Sequence, residues 1–275
     1  MANLKQNPVY VTPVSVDPVW NAVRDEAHAV IEREPVLSTF IYTTILNHSN
    51  LEAAVIQRIS DRLSSTEVSG GLIRQSFQNM LDDWPKWSEY LRSDLAAVYD
   101  RDPACHRFID PILYFKGFHA IQCHRLAHWC KVNGRSDFAL YLQSRSSEVF
   151  QTDINPSMKL GKGIFIDHAT GVVIGETVTI GDNVSILHNV TLGGTGKDKG
   201  DRHPKIGCGV LIGAGAKILG NVKIGDCSRI ASGSLVLKDV PPNVTVAGIP
   251  GKVVGVAGCP EPSRSMDQIL AEDKN

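Results

Sequence analysis

No stretch of this 275-residue sequence reaches the roughly 20 consecutive apolar residues needed to cross a bilayer. Its opening residues, MANLKQNPVYVTPVSVD, contain no apolar core of signal-peptide length, so a cytoplasmic location is expected. Neither sign of charge is in excess. With 28 Lys+Arg against 29 Asp+Glu, the formal net charge of -1 gives no electrostatic reason to expect nucleic acid or an anionic membrane as partner. CxxC pairs and zinc spacings are missing too. The six cysteines (Cys105, Cys123, Cys130, Cys208, Cys227, Cys259) are scattered, as suits small hydrophobes or free thiols in a reducing compartment. N-x-S/T triplets such as Asn189-Val190-Thr191 carry no meaning without a secretory route. What remains is the composition of a soluble globular protein, 43% hydrophobic and 21% charged, long enough for one large domain or two ordinary ones.

The first half reads as helices. Asp17-Pro18 is a helix start, a capping acid followed by proline at the first helical position. Behind it Trp20, Val23, Ala27, Val30 and Ile31 recur at helical spacing until Pro35. Val36 to Leu46 is a second apolar stretch, closed by polar Asn47-His48-Ser49-Asn50, and Leu51, Val55, Ile59 and Leu63 form a third. Gly70-Gly71 separates these from Leu72, Ile73, Phe77 and Leu81, and a further helix is expected from Trp87 to Tyr99. Asp102-Pro103 and Asp110-Pro111 read as punctuation. One long helix is expected from Ile112 to Val132, stopped by Asn133-Gly134, and a last one from Phe138 to Phe150. His124 and His128 sit four apart with His119 nearby, a metal-ligand spacing. No carboxylate stands at the offset of the Glu in HExxH, so packed or hydrogen-bonded histidines are expected there and no metal.

The second half has a different period. Aliphatic residues recur at every sixth position in Ile206, Ile212, Ile218, Ile224, Ile230 and Val236, and small or β-branched residues precede the later members by two (Val210, Ala216, Val222, Ser228, Ser234). A period of six fits neither a helix at 3.6 nor a long strand at 2. It fits short strands and corners coiled into a parallel β-helix. The same register runs backwards through Leu192, Ile186, Ile180 and Ile174, then, shifted by two residues at HATGVV, through Val172, Ile166, Leu160 and Ile154. Between Leu192 and Ile206 the register breaks again. The polar, glycine-rich segment GGTGKDKGDRHPK there should be a loop pushed out of the coil. Three hexads per turn give about five turns and one continuous aliphatic core. An open end of such a coil exposes strand edges, and the helical domain that feeds its first turn is the expected cap. Residues 1–150 thus form an all-α domain, 151–258 a β-helix with an extruded loop at 193–205, and 259–275 a charged, serine-rich tail expected to be mobile.

Hexads of this form resemble the left-handed β-helix of the hexapeptide-repeat acyltransferases, and AGIPGKVVG at 247–255 is similar to that superfamily's C-terminal signature. Four further segments in order, DPILYFKGFHAIQ, DHATGVVIGE, TLGGTGK and GDRHPKIG, resemble the serine O-acetyltransferases, as does the helical domain at the N-terminal side of the coil. The resemblance runs from about residue 15 to 258 and implies acetyl transfer from acetyl-CoA to the hydroxyl of L-serine, the first step from serine towards cysteine. It also implies inhibition by L-cysteine in the serine site and a homo-oligomer, a trimer or a dimer of trimers. Family members commonly dock a C-terminal isoleucine into the sulfhydrylase that consumes O-acetylserine. This chain ends AEDKN with its last isoleucine at Ile269, which leaves that partner open. The left-handed coil comes from the resemblance, since crossover preferences favour the other hand.

Such chemistry needs a base, because an alcohol is almost wholly protonated at neutral pH, and a histidine is the usual choice. His168 lies two residues past the inward Ile166, near a coil corner where a side chain can leave the prism. Asp153, one residue before Ile154, is expected to hold its tautomer as in a triad, and the resemblance assigns the same pair. For the zwitterionic acceptor, Arg202 offers a planar fork to the carboxylate with His203 beside it, and Asp94 and Asp167 are candidates for the ammonium; the resemblance supports all four. TLGGTGK is no Walker A loop, since Thr191 holds the first glycine position and Asp198 follows Lys197. The resemblance makes it one wall of a coenzyme A groove between subunits, with Gly194, Thr195, Ala214, Arg229 and Ser232 as contacts.

Three other readings compete. An acetyltransferase for a sugar or xenobiotic explains the coil but not Asp94, the helical domain or GDRHPK. A γ-class carbonic anhydrase would need His168, His188 and His203 around zinc, and their spacings do not resemble that family's pair five apart. A non-catalytic scaffold leaves the His–Asp and Arg–His placements without a purpose.

Overall fold

The computed structural model describes residues 17–196 and 199–270. Its first half is helical because every apolar stripe finds another to cover it. Helix α1 (Pro18–Arg33) begins where Asp17 accepts hydrogen bonds from the amides of Val19 and Trp20 at 3.1 and 3.2 Å, and it buries Trp20, Val23, Ala27 and Val30. The apolar stretch behind Pro35 is three tight helical pieces: a 3₁₀ turn, α2 (Ser38–Ile41) and a π turn at Tyr42–Leu46. Then follow α3 (Leu51–Leu63), α4 (Gly70–Asp83), α5 (Trp87–Arg101), α6 (Ile109–Leu113), α7 (Lys116–Val132) and α8 (Ser136–Phe150). No helix among the described residues is long and apolar enough to cross a membrane.

Two breakers do not break. Gly70-Gly71 forms the first turn of α4 and not the gap before it, and a Cβ on Gly70 would lie 3.1 Å from the Ser60 carbonyl oxygen. Asp110-Pro111 lies inside the short α6, where the first turn leaves amides unpaired and proline costs nothing. The interruption falls at Tyr114 and Phe115, so the single helix expected over 112–132 is two.

The histidine cluster of α7 is packed and bonded. His119 Nε2 pairs with the Ile112 carbonyl at 2.7 Å and His128 Nδ1 with that of Pro156 at 2.8 Å, while His124 is buried. Burial pushes the His119 pKa down to about 3 and that of His124 well below its ordinary value. Both imidazoles are therefore neutral in the folded chain and protonated more readily in the unfolded one. Their stabilising contribution is complete above the unfolded value near 6.5. It is lost as pH falls from there towards the folded values, at up to about 1.4 kcal/mol per pH unit for each histidine. The urea midpoint should accordingly drop between pH 7 and pH 5, and His119→Gln should flatten that drop; an unchanged slope would remove His119 as the cause.

The second half is a parallel β-helix. Its strands are β1 (Thr152–Ile154), β2 (Lys159–Leu160), β3 (Phe165–Ile166), β4 (Val172–Ile174), β5 (Thr179–Ile180), β6 (Ser185–Ile186), β7 (Thr191–Gly193) and β8 (Lys205–Ile206). They continue as β9 (Leu211–Ile212), β10 (Lys217–Leu219), β11 (Lys223–Ile224), β12 (Arg229–Ile230), β13 (Leu235–Val236), β14 (Val244–Ala247) and an antiparallel β15 (Lys252–Val256). Three sheets form the prism faces, ordered β1-β4-β7-β10-β13, β11-β8-β5-β2 and β15-β14-β12-β9-β6-β3. The six aliphatic residues from Ile206 to Val236 all point into the core, as do Val210, Ala216, Val222, Ser228 and Ser234. Regular coils pair residues 18 apart, as in Val173↔Thr191 and Leu211↔Arg229. The first coil pairs Thr152↔Val172, 20 apart, and the two additional residues are His168 and Ala169, both left-handed with φ of 56° and 60°. The second break, Thr179↔Lys205 at 26 apart, is the loop between Gly193 and Lys205.

The two cores interlock. Phe165 of β3 packs into the helical cluster and Ile121 of α7 into the coil's, so the helical domain seals the first turn. The tail does not behave as its composition suggests. Residues 259–270 fold back through α9 (Pro262–Ser265), and Met266 packs on the helical core. Arg229 donates to the Asp267 carbonyl at 2.9 Å and Ser232 to Gln268 Oε1 at 3.1 Å.

Candidate active site

A cavity of about 680 Å³ lies where the helical domain, the first coil and the tail meet. The C-terminal end of α5 brings Arg101 and Asp102 to it, and the start of α7 brings Tyr114 to Gly117. The corner after β3 brings Asp167 and His168, and the tail closes it with Met266 and Gln268. The approach of α7 to β3 depends on one glycine: a Cβ on Gly117 would fall 2.0 Å from the Ile166 carbonyl oxygen.

His168 presents its ring to the cavity with its side chain 75% exposed, Nε2 standing 3.8 Å from Asp167 Oδ1. That separation is beyond hydrogen-bond range. The His188 ring, one coil on, meets the His168 ring edge-on at 5.8 Å, and its buried Nδ1 has no hydrogen-bond partner among the described residues. Burial raises the Asp167 pKa, and the neighbouring Asp102 adds to the rise while His168 and His188 oppose it.

Two expected site residues are engaged by other partners. Asp94 is completely buried between α5, α7 and the first coil. Its oxygens accept from Arg125 Nη2 at 2.7 Å, Arg125 Nε at 3.0 Å, Gln122 at 2.9 Å and the Ile164 amide at 3.0 Å. Burial pushes its pKa up, against the pull of Arg125 and those hydrogen bonds. No lone pair is left facing a ligand, so Asp94 is a docking residue. Asp102, passed over as helix punctuation, is the α5 acid that reaches the cavity. Asp153 accepts from Gln143 Nε2 at 2.6 Å, and no hydrogen bond joins it to His168 among the described residues.

Arg202 and His203 form a second centre at another corner of the coil. Arg202 Nη2 donates to Glu176 Oε2 at 2.9 Å, and the amides of Arg202 and His203 both donate to Thr177 Oγ1. The Thr177 amide donates to His203 Nδ1 at 3.2 Å, which assigns the ring proton to Nε2. Burial, with Arg202 and Lys205 nearby, pulls the His203 pKa down, so the ring is neutral at pH 7. Its seat exists because residue 175 is glycine, where a Cβ would lie 2.2 Å from the ring.

The expected coenzyme contacts also divide. Gly194 lies by Arg202 and His203, and the Thr195 methyl stands 3.3 Å from where a Cβ on Gly220 would be. Arg229 and Ser232 are engaged by the tail, and the Ala214 carbonyl accepts from the Gly233 amide. Lys197 and Asp198 lie outside the described residues.

Comparison with known proteins agrees in both halves. Residues 19–123 match the family described as serine acetyltransferase, N-terminal, and residues 203–238 match the bacterial transferase hexapeptide repeat. A serine acetyltransferase of Salmonella typhimurium is 47% identical over 250 residues, covering 91% of this chain and 92% of that protein. The crystal structure of the Brucella abortus serine acetyltransferase in complex with coenzyme A superposes with a TM-score of 0.88 at 62% identity, covering 89% of this chain and 98% of the other. A serine acetyltransferase in complex with cysteine gives a TM-score of 0.90 at 43% identity, covering 92% and 99%. With its helical domain, its left-handed parallel β-helix and these matches along nine-tenths of its length, the chain belongs to the serine acetyltransferase family.

Proposed function

We propose that this serine acetyltransferase joins L-serine and acetyl-CoA at the cavity between the helical domain and the first coil, with His168 as general base. The observation that supports the reading is the meeting of His168, Asp167 and Asp102 in one cavity from elements far apart in sequence. The His168 imidazole takes the proton from the serine hydroxyl as its oxygen attacks the thioester carbonyl. The carbon–sulfur bond then breaks, and the imidazolium returns the proton to the leaving thiolate. Asp102 and Asp167 hold the ammonium group of serine. His188, whose ring meets that of His168, is assigned to the oxygen of the tetrahedral intermediate as a ring N–H donor. Asp153 reaches the base only if Gln143 releases it.

Arg202 and His203 are assigned to the carboxylate of serine, the first by its fork and the second by its Nε2–H. They sit at the far end of a coil face from His168, across roughly 15 Å of strand. One serine molecule cannot span that distance within one chain. We therefore assign the second corner to a neighbouring copy, so that the complete site lies between subunits of a homo-oligomer. The coenzyme runs along the same seam past Gly194, Thr195 and Ala214, and it reaches Arg229 and Ser232 by displacing Asp267 and Gln268. Cysteine has the same ammonium and carboxylate, and it competes for the same groups.

A thiol-release assay with acetyl-CoA tests the reading. Release should depend on L-serine and be suppressed by L-cysteine competitively with serine; release that is as fast with a sugar acceptor would overturn it. Arg202→Lys should raise KM for serine more than KM for acetyl-CoA, because an ammonium cannot reproduce the fork. Equal rises would count against carboxylate recognition.

A further inference from the structure

The corner that carries His168 is the most unusual piece of backbone in the coil. It holds two residues more than the regular corners, and its left-handed residues His168 and Ala169 are consecutive and neither is glycine. A third left-handed non-glycine residue, Gln151 with φ of 58°, abuts it, its carbonyl accepting from the Gly171 amide at 2.9 Å. Such conformations are unfavourable for residues with a Cβ and persist only where the surroundings over-determine them.

One cation spans the strained segment. Lys116, at the start of α7, donates from Nζ to Thr170 Oγ1 at 2.5 Å and to Gln151 Oε1 at 2.9 Å. Thr170 is itself turned onto the corner, its amide donating to the His168 carbonyl at 2.7 Å. The next residue, Gly117, is pressed onto the Ile166 carbonyl just before Asp167 and His168. Partial burial lowers the Lys116 pKa, the expected sign for an ammonium moved out of water towards neutral oxygens. Neither acceptor is a carboxylate, so the contact is not an ordinary surface ion pair.

We infer that Lys116 is a positioning residue for acetyl transfer, a staple between α7 and the His168 corner that holds the imidazole over the cavity. The inference rests on the reading of His168 as general base. Lys116→Met keeps most of the side chain's bulk and removes both hydrogen bonds. It should lower kcat roughly ten- to a hundredfold by misplacing the base, with KM for serine and acetyl-CoA within about twofold of the parent. Thr170→Val should produce part of the same loss, and Lys116→Met added to it should cost less than it does alone. Lys116→Arg, which keeps charge and donors, should recover most of the rate.

The decisive comparison is Lys116→Met in a His168→Ala background. If Lys116 acts through His168, the second substitution should change the residual rate little. A loss as large as in the parent would show that Lys116 acts elsewhere, and an unchanged kcat in Lys116→Met alone would overturn the proposal outright. A rise confined to KM for serine would instead make Lys116 a substrate contact. Should His168→Ala alone retain the parent rate, the reading of the base fails, whatever Lys116 does. Thermal unfolding of each variant separates these outcomes from simple loss of folded enzyme.

Discussion

Replacing His168 by alanine should lower kcat by about 10²–10⁴, or roughly 3–5.5 kcal/mol of transition-state stabilisation, with folding intact. Folding should survive because the side chain is 75% exposed and contributes little to any core. The backbone there is left-handed, which alanine adopts at some cost, but its neighbour Ala169 already does so at φ of 60°. His168→Asn is the companion variant, since asparagine tolerates that conformation better and still cannot serve as a base. Both should bind serine nearly as well as the parent, because Asp102 and Asp167 remain. The residual rate should still rise with pH through the Asp167 titration, which burial and Asp102 displace upward, because only the ionised carboxylate holds an ammonium group. A near-normal kcat in both variants would remove His168 from the mechanism.

The coil was readable because each turn repeats the same requirement, an inward aliphatic residue every sixth position, and one sequence can display that without reference to any other part of the chain. Its two interruptions were readable for the same reason. The excess at His168 and Ala169 and the loop holding Arg202 and His203 stand out against a regular register, and both carry polar groups with no place in a core. Asp102 had no such background. An acid before proline ends α5 whether or not it has another duty, and its duty exists only once the corner of residue 167 has folded against it. Asp94 was misread for a related reason. Its local setting is a polar position on a helix, and the groups that claim it, Arg125 and the Ile164 amide, lie 31 and 70 residues further on. The tail shows composition failing differently. Its charges and serines suggest a mobile segment, yet Met266 has apolar surface to cover and Asp267 meets the buried Arg229. Periodicity reports what an element does for itself, and these three depend on what distant elements do for them.

The distinction between the two acids of α5 can be measured. Asp94→Ala should destabilise the protein by about 3–5 kcal/mol, since it strands the Arg125 guanidinium, 2% exposed, without its counter-charge. The Ile164 amide and Gln122 lose their acceptor as well, and both are buried with it. For a cooperative unit of this size the loss corresponds to a fall in Tm of roughly 6–20 °C. Replacing the pair together, Asp94→Leu with Arg125→Met, should recover part of it by removing the unpaired charge. Recovery should stay incomplete, because the Gly161 carbonyl that accepts from Arg125 at 2.8 Å and the Ile164 amide remain unpaired. Asp102→Asn should do the reverse. Its carboxylate is partly exposed at the cavity, and its one side-chain hydrogen bond among the described residues, from the Ala104 amide at 2.8 Å, is one that an amide oxygen also accepts. Tm should therefore hardly move, while KM for serine rises and KM for acetyl-CoA does not. If Asp94→Ala instead kept its Tm and raised KM for serine, the ammonium site would belong to Asp94, and the buried ion pair with Arg125 would have to open for serine to enter.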